Sequence, residues 1–261
     1  MRFYISILAF AFLFSCGKNS EELQQKSFSP EIKTVSGLSE AQLYDKILGM
    51  LVGAAIGDAM GAPTEMWSRE SIRLEYGFVE GLDSMVREAS PEGIWKPNLP
   101  AGGTTDDTRW KVLAVNYLLT QKPGTLNPKD FAGHILKTYE GGLKNLQSIE
   151  SVDPEPYEAA MLQVNWLSEW AKVSKPYLDG NLTAYSDSLS KFYGGEMVCA
   201  GLLYAPALGV FFPGDPEKAY REAYKLSIYD LGYARDLSAL AVAMTAAAMT
   251  LGTTAEDLAL D

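Results

Sequence analysis

The sequence predicts an all-α fold, built as one compact multi-helix domain. Apolar residues recur at the three- and four-residue spacing of a helix in several long segments, and helix-start residues precede most of these segments. No sustained alternation of apolar and polar residues, the pattern of half-buried strands, occurs along the chain. With 261 residues, 47% of them hydrophobic, the chain is long enough for one large core.

The first predicted helix begins at Ser39, where Ser39 and Gln42 have the spacing of a capping box. Leu43, Ile47 and Leu51 continue at helical spacing, and the segment ends at residues 61–63, Gly-Ala-Pro. A glycine costs about 1 kcal/mol relative to alanine inside a helix. Four of them at every fourth position therefore indicate a face that a backbone or a ligand approaches closely. These glycines are Gly49, Gly53, Gly57 and Gly61.

Further helices are predicted from their own start and stop signals. One begins at Thr105, a second runs from Asn127-Pro128 to a stop at Gly141-Gly142, and a third runs from Asp153-Pro154 to a point before Pro176. A fourth begins at Asp215-Pro216, and residues 237–251 are apolar nearly all round, which predicts a buried helix. Residues 66–103 show no sustained period and are predicted to be mostly loop.

The Gly-rich loop before the Thr105 helix delivers Thr104-Thr105-Asp106-Asp107-Thr108. One interpretation is structural, because a Thr cap and acidic residues in the first turn each stabilise a helix by about 0.3–1 kcal/mol. The other is a metal site, because neighbouring carboxylates repel each other unless a cation relieves the repulsion, and carboxylates and hydroxyls suit hard divalent cations.

Residues 1–15 have the short basic and apolar regions of a signal peptide. Leu13-Phe14-Ser15-Cys16 resembles a bacterial lipobox, which implies cleavage before Cys16 and lipidation of that residue. Residues 16–38 would then form the lipidated N-terminus and a flexible tether, and residues 39–261 the domain. We therefore expect an exported bacterial lipoprotein, held in the cell envelope by its lipid anchor alone; the alternative is an ordinary secretory signal.

The charge and the composition exclude some kinds of partner and some kinds of active site. The formal net charge is −11 and basic runs are absent, so nucleic acid is not an expected partner. His134 is the only histidine of the sequence, which excludes a His-based metal cluster and a Ser-His-Asp triad.

The segment Ile56-Gly57-Asp58-Ala59-Met60-Gly61-Ala62-Pro63-Thr64-Glu65, followed forty residues later by Thr105-Asp106-Asp107-Thr108, resembles the two opening signatures of the ADP-ribosylglycohydrolase family. The resemblance covers about residues 43–261. It implies an all-α domain with a binuclear magnesium site, manganese in some members, that hydrolyses the N- or O-glycosidic bond at C1 of ADP-ribose. The expected partner is thus an ADP-ribosylated or related small-molecule or protein substrate.

Carried over by position, the resemblance makes Thr105, Asp106 and Asp107 metal ligands. It makes Glu65 a residue of catalysis or of substrate gating, and Asp58 a structural residue. It assigns no substrate-binding residue in this sequence. Two metals in such a site would clamp the ribose hydroxyls and orient a water, while a nearby carboxylate moves the proton.

The sequence departs from the family pattern in two places. The C-terminal D-x-D-[TS] motif that completes the family's metal site does not occur after Thr108, and residues 201–206, GLLYAP, stand where many members have N-G-x-x-M-R-x-x-P. We expect either a C-terminally shortened domain or a protein that has lost half of its metal site. Two hypotheses of function follow: a metal-dependent ADP-ribosyl or related ribosyl hydrolase, or a non-catalytic lipoprotein that binds a nucleotide or a protein.

Overall fold

Ten α-helices account for most of the fold in a computed structural model, which describes residues 36–86, 98–150, 153–195 and 197–260. Helix makes up 67% of the structure and strand 2%, so the predicted all-α class is confirmed. The helices are α1 (Glu40–Gly61), α2 (Arg69–Glu75), α3 (Asp106–Leu118), α4 (Pro128–Gln147), α5 (Pro154–Leu178), α6 (Leu182–Ser190), α7 (Ala205–Gly209), α8 (Pro216–Leu226), α9 (Ala234–Ala248) and α10 (Ala255–Leu260). Two-residue strands β1 (Met85–Val86) and β2 (Asn98–Leu99) pair antiparallel. The signal segment, Cys16 and the tether up to residue 35 lie outside the described residues.

Four of the predicted helix starts are confirmed by the caps that the structure forms. Ser39 and Gln42 make both hydrogen bonds of a capping box at the start of α1. The side chains of Thr105, Asn127 and Asp215 each accept a backbone N–H in the first turn of α3, α4 and α8.

Two predicted helix ends are wrong, and packing between α4 and α5 explains the first. Helix α4 continues through Gly141-Gly142 to Gln147, since Gly142 lies where Val164 of α5 approaches. A Cβ atom at Gly142 would stand 2.8 Å from the Val164 Cγ2 atom, so this glycine allows close helix packing and is no stop signal. Helix α5 runs past Pro176 to Leu178, although the proline has no N–H to donate to the carbonyl oxygen one turn earlier.

The short helix α2 also lies inside a segment predicted to be mostly loop. Ser68 caps its start by accepting the backbone N–H of Ser71, and none of its residues is buried. A seven-residue helix of this kind has too few turns to show an apolar period in the sequence.

The core forms where α3, α5 and the segment around α7 meet. Trp110 of α3 is fully buried, with its ring centroid 3.9 Å from that of Trp170 and 5.7 Å from that of Tyr204. Helix α4 packs along α5, α8 packs along α9, and α3 packs on both α1 and α7. The N-terminal end of α3 is thus held between the core on one side and α1 on the other.

One side of α1 carries large apolar side chains at the surface, namely Tyr44, Leu48, Val52 and Ile56, each 45–64% exposed. By length and composition alone, the stretch Glu40–Thr64 is long and apolar enough to cross a membrane, a test that core helices of soluble proteins also pass. The prediction that residues 237–251 are buried all round is wrong. Leu237, Leu240 and Met244 on α9 are exposed, while the opposite face of α9 is in the core.

Candidate functional site

The candidate site is a cleft of about 380 Å³ between the C-terminal half of α1 and the start of α3. It contains the two sequence signatures, which are separated by forty residues in the chain and meet here in space. The residues that line it are Ala54, Gly57, Asp58, Gly61, Ala62, Glu65, Thr105, Asp107 and Lys111. Of the sequence-predicted site residues, Glu65, Thr105 and Asp107 line this cleft, and Asp106 lies in the same helical turn.

Asp58 of α1 holds the start of α3 in place. Its Oδ1 atom accepts the Thr105 hydroxyl at 2.7 Å, and its Oδ2 atom accepts the Thr108 hydroxyl at 2.7 Å. The backbone N–H groups of Thr105 and Thr108 donate to the same carboxylate at 3.0–3.1 Å. Because helix N-termini leave several N–H groups without a partner, this carboxylate acts as a helix cap supplied by another helix.

Asp106 is the buried carboxyl group of the site, 7% exposed. Burial raises the pKa of Asp106 to about 6, and the negative charges of Asp107 and Glu65 act in the same direction. The backbone N–H of Asp106 and the charge of Arg109 oppose this rise. Near neutral pH the ionised form of Asp106 therefore costs folding free energy, and a nearby cation would reduce that cost.

Lys111 places a positive charge beside Asp107. Its ammonium group donates to the Asp107 backbone carbonyl oxygen at 3.0 Å and lies 3.6 Å from the Asp107 Oδ1 atom. The lysine is 8% exposed as a residue, whereas the side chain of Asp107 is half exposed to the cleft. A buried lysine is unusual unless it is paired, so this ion pair is a built part of the cleft wall.

Glu65 lies on the loop that follows the 3₁₀ turn Ala62–Thr64 at the end of α1. It is exposed, it lines the cleft, and its charge acts on Asp106. The next residue, Met66, has a φ of +66°, in the left-handed region that residues other than glycine seldom adopt.

The residues of the cleft fit a magnesium ion in part. Mg²⁺ usually binds proteins through one or two carboxylates and keeps several waters. Asp107, with Thr105 beside it and Asp106 in the same turn, offers that number of hard oxygen donors. Among the described residues, no group of three or more His, Cys, Asp or Glu side chains is arranged to hold a metal ion. A second ion would thus need donors beyond this set.

The glycine stripe on α1 has no close neighbour in the described part of the chain. A Cβ atom at Gly49, Gly53, Gly57 or Gly61 would meet no described atom within 4 Å. The predicted close approach by another backbone is therefore not seen there. Gly57 and Gly61 line the cleft, however, so the explanation by a ligand remains for these two positions.

Lys111 is the residue of the cleft that sequence reasoning missed. Its only signal was the spacing to Asp107, at i and i+4 on α3, and such pairs lie mostly on exposed helix surfaces. The burial of Lys111 depends on the packing of α1 against α3, which the local sequence does not reveal.

The protein is thus an all-α domain with an acidic cleft at the start of α3, and the Asp58 carboxylate of α1 holds that start in place. Residues 39–261 match the model of the ADP-ribosylglycohydrolase family, and the chain belongs to this family. The uncharacterized protein YegU of Escherichia coli (strain K12) is similar, being 29% identical over 92 residues. The matched stretch is 35% of this chain and 26% of the relative. The chain therefore spans about a quarter of the relative's length.

Proposed function

We propose that this protein is a metal-dependent hydrolase that cleaves the glycosidic bond of ADP-ribosyl or related ribosyl conjugates. The observation that carries the proposal is the meeting of both family signatures in one cleft, with Asp58 clamping the Thr105–Thr108 turn. Family membership over residues 39–261 supports the same class of reaction.

In this proposal Thr105, Asp106 and Asp107 hold the metal, Mg²⁺ or Mn²⁺. When bound, the ion supplies Lewis-acid polarisation of substrate oxygen atoms. Asp58 keeps the backbone of the turn rigid, so that the three side chains start from a fixed geometry. The raised pKa of Asp106 supports a cation here, because a cation would offset the cost of its buried charge.

Glu65 is proposed to move the proton. Hydrolysis adds the hydroxyl of a water to C1 of the ribose and a proton to the leaving group, and a carboxylate near C1 can accept and return that proton. Glu65 lines the cleft from a loop. Because loops move more readily than helices, this position also suits a role in admitting substrate.

The test is the release of ADP-ribose from one N-linked and one O-linked ADP-ribosyl conjugate, with Mn²⁺ and with EDTA. We expect metal-dependent release, lost in Asp107→Asn and reduced about 100-fold or more in Glu65→Gln, the usual loss for a general acid or base. Glu70→Gln, at an exposed position on α2, is the matched control. Equal activity of Asp107→Asn and wild type would contradict the proposal.

A second candidate is a binding protein without turnover, and the Lys111–Asp107 ion pair favours it. The lysine already neutralises one of the proposed metal ligands. Such a protein would bind ADP-ribose in the cleft with the same affinity in Mn²⁺ and in EDTA, and would release no product from either conjugate.

The proposed location is the bacterial cell envelope, by lipidation of Cys16 after removal of residues 1–15. Expressed in a bacterium, the wild-type protein should incorporate a labelled fatty acid and sediment with membranes. Cys16→Ser should do neither, whereas Cys199→Ser should behave as wild type. Label in both variants would contradict lipidation at Cys16.

A further inference from the structure

The Asp58 carboxylate lines the cleft, but its lone pairs are already used. Its oxygen atoms accept the hydroxyl groups of Thr105 and Thr108 at 2.7 Å and the backbone N–H groups of the same two residues at 3.0–3.1 Å. An ionised carboxylate has about four lone-pair positions, and these four donors occupy them. Asp58 therefore acts as a clamp and not as a ligand of a metal ion.

Thr105 keeps one lone pair for an ion. Its hydroxyl group donates to Asp58 at 2.7 Å and accepts the backbone N–H of Asp107 at 3.3 Å. A hydroxyl group has one donor and two lone pairs, so a single acceptor position is left. Mg²⁺ usually takes one or two carboxylates of a protein and keeps several waters, so Thr105, Asp106 and Asp107 make a donor set for one ion.

The Lys111 ammonium group is a cation fixed at the Asp107 carboxylate. It lies 3.6 Å from the Oδ1 atom, and its hydrogen bond of 3.0 Å to the Asp107 backbone carbonyl oxygen holds it there. The side chain of Lys111 is 10% exposed, and among the described residues it is the one basic side chain that lines the cleft. Because the two residues are four positions apart on α3, their side chains face each other on the helix surface.

A second divalent ion would have to share the Asp107 carboxylate with this ammonium group. An ion bound to the Oδ1 atom at about 2.1 Å would lie within about 6 Å of the ammonium nitrogen, which is 3.6 Å from the same oxygen. Two cations repel each other at that distance, most strongly in a cleft that is partly shielded from water. Asp107 is therefore left with its other oxygen atom, which serves one ion.

The charge of the ammonium group also supplies part of what a second ion would supply. The negative charges of Glu65 and Asp107 act on the buried Asp106 carboxyl group, so these carboxylates repel one another. A lysine that belongs to the chain reduces this repulsion at every metal concentration, whereas a bound ion does so only when the metal is supplied. The cleft thus has a permanent cation where two-metal sites have an exchangeable one.

We propose that the Lys111 ammonium group takes the place of the second cation in this cleft, so that the chain binds one divalent ion instead of two. The inference rests on the proposed function in one respect, the binding of a divalent ion at Thr105, Asp106 and Asp107. It departs from the binuclear site that the resemblance of the sequence implies. Lys111 acts through Asp107 and is thus a positioning residue.

The experiment counts the Mn²⁺ ions bound per chain, by calorimetry and by electron paramagnetic resonance, in which two neighbouring Mn²⁺ ions give a spin-coupled signal. Wild type should bind one ion and show no coupled signal. Lys111→Glu removes the cation and adds a carboxylate at the same position, so this variant should bind two ions and show the coupled signal. Lys172→Glu, at an exposed ion pair on α5, is the matched control and should bind one ion.

Two ions bound by wild type, or a single ion in a folded Lys111→Glu, would overturn the proposal. If Lys111→Glu fails to fold, Lys111→Met removes the charge without adding a ligand and should bind one ion about tenfold more tightly than wild type. Unchanged affinity in that variant would then overturn the proposal. One bound ion without hydrolysis of either conjugate would contradict the proposed function alone, whereas two bound ions with hydrolysis would contradict this inference alone.

Discussion

The carboxylate of Asp58 and the backbone and hydroxyl of Thr105, 47 residues apart in the chain, are joined by hydrogen bonds of 2.7–3.1 Å. Through this contact α1 determines the position of the first turn of α3. That turn carries Asp106 and Asp107, so the geometry of the candidate site depends on a residue that need not touch a ligand.

Asp58→Asn is expected to destabilise the fold by roughly 2–4 kcal/mol, since hydrogen bonds to a charged acceptor are worth more than neutral ones and an amide nitrogen cannot accept them. Urea unfolding measures the change. Asp45→Asn, at an exposed position on the same helix, is the control and should stay within about 0.5 kcal/mol of wild type. A similar small change in both variants would contradict the clamp.

Asp106→Asn is expected to stabilise the metal-free protein while it abolishes metal binding. The pKa of Asp106 is raised to about 6 from 3.8, so the folded state binds this proton more tightly than the unfolded state. The stability of wild type should therefore fall as the pH rises from about 4 to 6. At pH 7 the variant should gain on the order of 2–3 kcal/mol, from 1.36 kcal/mol per pKa unit.

The measurement is the free energy of unfolding in EDTA at pH 4.5 and pH 7 for both proteins. His134, whose pKa is lowered by burial, has the opposite effect on the pH dependence of stability, but this effect is common to both proteins and cancels in the difference. A variant that is less stable than wild type at pH 7 would show that the carboxylate is held by favourable contacts.

Lys111→Met should tighten Mn²⁺ binding by about tenfold, because the ammonium group competes with a metal ion for Asp107. Methionine keeps most of the buried length of the side chain. Calorimetry with Mn²⁺ gives the affinity, and Lys172→Met, at an exposed ion pair on α5, is the control. Unchanged affinity would mean that the lysine and the metal do not compete.

Gly49→Ala and Gly57→Ala should each stabilise α1 by about 0.5–1 kcal/mol, since an added methyl group meets no described atom at either position. Their effects on ligand binding should differ. Gly57 lines the cleft and Gly49 does not, so only Gly57→Ala should weaken the binding of ADP-ribose. Equal affinity in the two variants would place the ligand elsewhere.

Local chemistry made part of this fold predictable. Helix starts at Ser39, Thr105 and Asn127 depend on a cap within three residues, and each is present in the structure. The end of α4 was not predictable in this way. Gly142 looks like a stop in the sequence, but Val164 of another helix decides its role.

The candidate site, too, was predictable only where it depends on local sequence. The sequence singled out Glu65, Thr105, Asp106 and Asp107 because signatures are local patterns of residue type. It gave no sign that Lys111 would be buried against Asp107, since that depends on which face of α3 meets α1. Nor did it indicate a second cleft, of about 440 Å³, whose lining residues come from α3, α4 and α5.

The proposed metal site is tested directly by Mn²⁺ binding to the whole protein, measured by calorimetry for wild type, Asp107→Asn and the control Asp45→Asn. The proposed site predicts binding in wild type and Asp45→Asn, and its loss in Asp107→Asn while that variant remains folded. Equal binding in all three proteins, or none in a folded wild type, would contradict a metal site at the start of α3.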